Sequence, residues 1–75
     1  MRSTGDALRD LRKKKGLSQE QVARDMGVAL LTYGNWERDD NTPTADNLVR
    51  LADYYGVHPR DLLPSAEPAP AEAAQ

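Results

Sequence analysis

The sequence predicts an all-α protein, five short helices in one compact domain. Three observations carry that reading. Apolar residues recur at helical spacing, most cleanly at Leu48, Leu51, Ala52 and Tyr55, which stand at i, i+3, i+4 and i+7. The successive helical runs are punctuated by capping residues such as Ser18 and Thr44 and by terminating glycines at 16, 27 and 56. No segment stands out as a strand.

The first helix spans about Gly5 to Lys14. Ser3 or Thr4 is available to cap it, Asp6 suits its positive end, and Ala7, Leu8 and Leu11 form an inward stripe. Gly16 ends it. The second helix spans about Gln19 to Asp25. Ser18 caps it, Gln21 three residues later completes the pattern of a capping box, and Leu17 and Val22 have hydrophobic-staple spacing. Gly27 follows Met26 where a left-handed residue is needed, and glycine takes that conformation without steric cost. The third helix, about Leu30 to Arg38, shares one face between Val28, Tyr33 and Trp36 and leaves Leu30, Leu31, Gly34 and Asn35 on the others.

Asp39 to Thr42 form a polar loop, and Pro43 stops a helix from running through it. Thr44 caps the fourth helix and Gly56 closes it. Val57-His58-Pro59 opens a short fifth helix, with proline at a favoured first position and Val57 and Leu62 at staple spacing, before Pro64 ends it. From Ser65 the composition turns to alanine, proline and glutamate. Residues 65–75 therefore read as a disordered tail, because they cannot bury enough apolar surface to offset ordering entropy. The folded domain is 4–63.

Composition bounds the function. A chain of 75 residues has room for one domain and no deep substrate cleft. It has no cysteine, hence no disulfide framework and no thiolate metal site. There is no apolar run to span a membrane and no secretory signal, so the expected compartment is cytoplasmic. The single histidine, His58, sits beside Pro59 at a helix start, where it reads as a cap or surface residue. No nucleophile or acid–base pair, phosphate loop or ligand spacing suggests catalysis, a metal or a cofactor. The net charge is −2, unusual for a nucleic-acid-binding domain. Two of the twelve acidic residues, Glu67 and Glu72, lie in the tail, however, so residues 1–64 hold ten charges of each sign. Four basic residues are consecutive, Arg12-Lys13-Lys14-Lys15. They read equally as complements to the helix macrodipole and as a phosphate-facing patch.

The segment from Ser18 to Arg38 is a helix, a glycine turn and a second helix with an exposed face, the helix-turn-helix arrangement. Leu17-Ser18-Gln19, small Ala23, Gly27, Trp36 before Glu37, Pro43-Thr44 and Leu51-Ala52 occur in one register. That series resembles the Cro-type, lambda-repressor-like (XRE) helix-turn-helix family over roughly Thr4 to Leu63. The resemblance implies that the second helix of the motif enters the major groove of double-stranded DNA. It assigns Leu30, Leu31, Thr32 and Asn35 to groove-facing positions and Gln19 to the DNA backbone. Asparagine has the geometry for a bidentate contact to adenine, and the leucines offer apolar contact to thymine methyls. Trp36 reads as core, and Glu37 resembles an acidic residue that pairs with a scaffold arginine, here Arg12.

The function implied is a sequence-specific transcriptional regulator, of the phage-repressor or restriction–modification-controller kind, that binds its operator as a homodimer. Val57, Leu62 and Leu63 would form the dimer surface, with control by concentration, proteolysis or a regulatory protein partner. The chain departs from the family pattern in three places. Ala29 replaces a capping Ser or Thr, Gly34 lies inside the recognition helix, and Asp39-Asp40 stand where relatives carry glycine and a basic residue. They weaken the expected attraction to DNA. The alternative is a protein-interaction module that keeps the fold, has lost major-groove binding, and meets a protein through Leu30-Leu31 and the acidic Asp39-Asp40 loop.

Overall fold

The computed structural model describes residues 2–64. Their regular elements are helices: α1 (Thr4–Lys14), α2 (Gln19–Met26), α3 (Leu30–Glu37), α4 (Ala45–Tyr55) and a closing 3-10 helix (Pro59–Leu62). The expectation of five helices is thus corrected at its last member, which is one 3-10 turn. The cause is local. Pro59 has no amide donor, Pro64 stops continuation, and the four residues between the His58 cap and Leu63 suffice only for i→i+3 bonding. Asp61 N donates to the His58 carbonyl at 2.8 Å and Leu63 N to the Arg60 carbonyl at 3.2 Å. The expected disordered tail, 65–75, lies outside the described residues.

The helix ends follow from their caps. Ser3 and Asp6 form a complete capping box on α1, Asp6 N to Ser3 Oγ at 3.0 Å and Ser3 N to Asp6 Oδ2 at 3.2 Å. Ser18 accepts from Gln21 N at 3.0 Å, but the reciprocal half of the box predicted there is not made. The Gln21 amide turns along its own helix and donates to Asp25 Oδ1 at 2.8 Å. Gly27 and Gly56 end α2 and α4 at φ 73° and 74°, the left-handed conformation that a Cβ disfavours. Ala29 leaves α3 without a side-chain cap.

Those boundaries set which faces turn inward. Ala7 and Leu8 of α1, Val22, Ala23 and Met26 of α2, Tyr33 and Trp36 of α3, and Leu51, Ala52 and Tyr55 of α4 form one core, closed by Leu62. The Tyr33 and Trp36 rings meet edge to face at 6.1 Å, a favoured arrangement of ring quadrupoles. The two phenols that enter the core satisfy each other, Tyr33 Oη lying 2.7 Å from Tyr55 Oη. α3 packs against both α1 and α2, while α4 packs on the 3-10 helix, which also reaches α1. Leu62 is fully buried in this core, so it is removed from the expected dimer surface.

Candidate nucleic-acid interface

The site is built on α3, and one buried carboxylate holds that helix in place. Glu37 is 2% exposed. It accepts from Arg12 Nε at 2.6 Å, Arg12 Nη2 at 3.1 Å and Gln19 Nε2 at 2.9 Å, which joins α1, α2 and α3 at one point. Arg12 Nη1 also donates to the Leu17 carbonyl at 2.9 Å, tying the link between α1 and α2. Burial alone would raise the Glu37 pKa. The hydrogen bonds from Arg12 and Gln19 outweigh burial and hold it below the usual carboxylate value, so Glu37 stays charged. The pairing of Arg12 with Glu37 that the family resemblance implied is present.

A second set of contacts seats the end of α3 on the start of α1. Arg9 Nη2 donates to the Glu37 carbonyl at 2.9 Å, one of the acceptors a helix C-terminus leaves open. A Cβ on Gly5 would lie 2.3 Å from that same carbonyl oxygen, so only glycine permits this approach. Asp39 follows in the left-handed region, φ 63°, and accepts from Gly5 N at 2.9 Å. Asp39 is therefore a cap for α1 supplied from across the fold, and Asp40 pairs with Arg38 at 3.0 Å. The loop that reads in sequence as two free acidic charges is engaged at both residues. From the other side, Arg50 of α4 donates to the Met26 carbonyl at 2.6 Å and Tyr54 to Asp25 at 2.6 Å, which anchors the end of α2.

The remaining face of α3 turns outward. Leu31 is 69% exposed and Leu30 45%, two of the four large hydrophobic side chains so exposed among the described residues. Thr32 and Asn35 are half-buried, less open than the sequence suggests. Gln19 is also half-buried, and its amide nitrogen is used by Glu37. The structure thus places Leu30, Leu31, Thr32 and Asn35 along one helix and brings Gln19 beside it. Arg38 is the residue missed by sequence reasoning. Its Nε donates to Asp40 and its Nη2 to Asn35 Oδ1, and its guanidinium covers Gly34. The only sequence signal was its place three residues after Asn35 on a helix. Of the basic run, Arg12 is consumed in the ion pair, and Lys13, Lys14 and Lys15 are exposed at the end of α1.

A helix-turn-helix family model matches residues 8–62. The chain belongs to the XRE-type helix-turn-helix family. Within that family it is 37% identical over 60 residues to the cryptic phage CTXphi transcriptional repressor RstR of Vibrio cholerae, across 80% of this chain and 54% of RstR. It is 33% identical over 61 residues to the transcriptional regulator ImmR of Bacillus subtilis, across 81% of this chain and 48% of ImmR. The chain spans about half the length of these curated relatives. Among solved structures it resembles the restriction-modification controller protein C.AhdI from Aeromonas hydrophila, with TM-score 0.73, 37% identity, and coverage of 80% of this chain and 91% of that one. The BldD DNA-binding domain of S. venezulae superposes with TM-score 0.71 at 36% identity, covering 81% of this chain and 91% of that one. The matched residues include α2, the Gly27 turn and α3. No helix among the described residues is long and apolar enough to cross a membrane.

Proposed function

We propose that this chain is a sequence-specific DNA-binding transcriptional regulator that docks α3 in the major groove and binds operator DNA as a homodimer. The observation that carries this reading is the division of α3. Tyr33, Trp36 and Glu37 are buried in the scaffold, while Leu30 and Leu31 are exposed beside Thr32 and Asn35 on a helix whose C-terminal end is fixed by Arg9 and Arg12. Helix-turn-helix repressors present the first turns of the second helix to base edges. In that pose Leu31 meets thymine methyls, and Thr32 and Asn35 offer polar contacts. The N-terminus of α2 at Gln19 faces a phosphate, where backbone donors and the helix dipole favour an anion. Lys13, Lys14 and Lys15 supply a local positive field in a domain without net basic charge.

The similarity to a DNA-binding domain, a phage repressor and a restriction–modification controller supports this reading. An operator target places the protein in the cytoplasm. Homodimerisation follows from the two-fold symmetry of such operators. The dimer surface uses Leu63 and Val49, which are 49% and 48% exposed, in place of the buried Leu62. Mobility-shift titration against fragments selected from a genomic pool tests the reading. Affinity is expected to fall steeply with salt, because each neutralised phosphate releases counterions, with a log–log slope of about −0.9 per phosphate contact. Failure to retard any selected fragment at micromolar protein in low salt would reject it.

A further inference from the structure

Reading adenine with asparagine needs both halves of the amide, the oxygen accepting from adenine N6 and the nitrogen donating to N7. In this chain the oxygen is already engaged, since Arg38 Nη2 donates to Asn35 Oδ1. Arg38 is itself held from the other side, Nε to Asp40 Oδ2 at 3.0 Å. A guanidinium carries only donors, so the amide turns its oxygen toward Arg38, where one of the two lone pairs is taken, and leaves the other lone pair and its two N–H donors for other partners. Gly34 makes room for this. The guanidinium lies over it, and a Cβ there would stand 3.2 Å from Arg38 Nη1, closer than such contacts ordinarily come. The glycine that weakens the helix is thus also the seat of the arginine.

We infer that Arg38 determines base specificity by making the Arg38–Asn35 pair a donor-rich reader, which favours guanine over adenine. Guanine is the base whose major-groove edge presents two acceptors, N7 and O6, and no donor. Adenine's N6 amino group would meet the remaining donors of the pair. The inference rests on the DNA-binding reading proposed above, and it goes further by naming the base and the residue that chooses it.

The test is a binding profile in which each position of a selected site is changed to all four bases. The position read by Asn35 is the one whose preference disappears in Asn35→Ala. Wild type is expected to favour guanine there. Arg38→Met keeps the aliphatic stem and frees the Asn35 oxygen, so the guanine-to-adenine ratio at that position should fall at least tenfold with the other positions unchanged. Arg38→Lys restores a donor and should recover much of the guanine preference. Gly34→Ala displaces the guanidinium without removing it and should move the ratio in the same direction as Arg38→Met. It supplies the reading if Arg38→Met does not fold. A wild-type preference for adenine, or a uniform loss of affinity in Arg38→Met with an unchanged profile, would overturn the inference while leaving the regulator reading intact. Absence of any bound fragment would overturn both.

Discussion

Arg12 of α1 and Glu37 of α3 form a two-pronged ion pair, Nε to Oε2 at 2.6 Å and Nη2 to Oε1 at 3.1 Å, across 25 residues of sequence. The pair is nearly dry, with side-chain exposures of 14% and 2%. Removing one partner therefore strands a charge. Arg12→Met should destabilise the domain by about 3–5 kcal/mol, since breaking a buried pair leaves the other charge uncompensated. Adding Glu37→Gln should recover much of that loss, because the neutral amide no longer needs a cation. Denaturant titration measures both. Equal stability of Arg12→Met and wild type would mean that the pair contributes nothing.

The same pair contributes to the fold's resistance to acid. The Glu37 pKa is held below its ordinary value of 4.5, so the unfolded chain takes up a proton there more readily than the folded one. The stabilisation is complete above pH 4.5 and is lost as pH falls through the depressed folded value. Melting temperatures should fall progressively below that pH, and more shallowly in the Arg12→Met, Glu37→Gln double variant. Parallel curves for the two proteins would contradict this assignment.

Trp36 is a core residue and not a stacking platform for bases. Truncation to alanine should cost about 3–5 kcal/mol. That is close to the whole stability expected of so small a domain, about 5 kcal/mol at the lower end of the usual range. Loss of cooperative melting by circular dichroism is the expected outcome. A melt within a few degrees of wild type would contradict the packing of the core.

Asp39 separates a capping role from a repulsive one. Asp39→Ala removes the bond to Gly5 N and keeps a Cβ at positive φ, as the wild type does, so it should cost about 0.5–2 kcal/mol for the lost cap. Asp39→Gly removes the same bond but relieves the backbone, so it should be the more stable of the two by about 1 kcal/mol. Thermal melts rank them. Equal stability of the two would show that the backbone conformation at Asp39 carries no cost.

The parts of the fold governed by near neighbours were legible in the sequence. Leu51, Ala52 and Tyr55 announced the buried face of α4 by spacing alone, and Ser18, Thr44, Gly27 and Gly56 marked helix ends because capping acts within a few residues. Glu37 was readable through the family resemblance. Periodicity alone does not reveal an ion pair to Arg12. What escaped was set by tertiary approach. Nothing local tells that Asp39 caps Gly5 from 34 residues away or that Arg50 reaches the Met26 carbonyl. Gln21 could equally have closed the box at Ser18 or bonded Asp25, and the helical neighbour won. At the candidate interface, the order Leu30, Leu31, Thr32, Asn35 followed from helix geometry. The engagement of Asn35 by Arg38 depends on rotamers over Gly34, which spacing does not encode.

Whether α3 reads a two-fold-related DNA sequence is decided by selection of bound genomic fragments with the purified chain. One enriched motif of two inverted half-sites is expected, their centres separated by about 34–36 Å, one turn of the duplex. Asn35→Ala should erase preference at one position of each half-site, at a cost of about 1–3 kcal/mol, while the protein stays folded. A bound pool with no shared sequence, or a motif unchanged by substitution of Leu31, Thr32 and Asn35, would contradict DNA reading by α3.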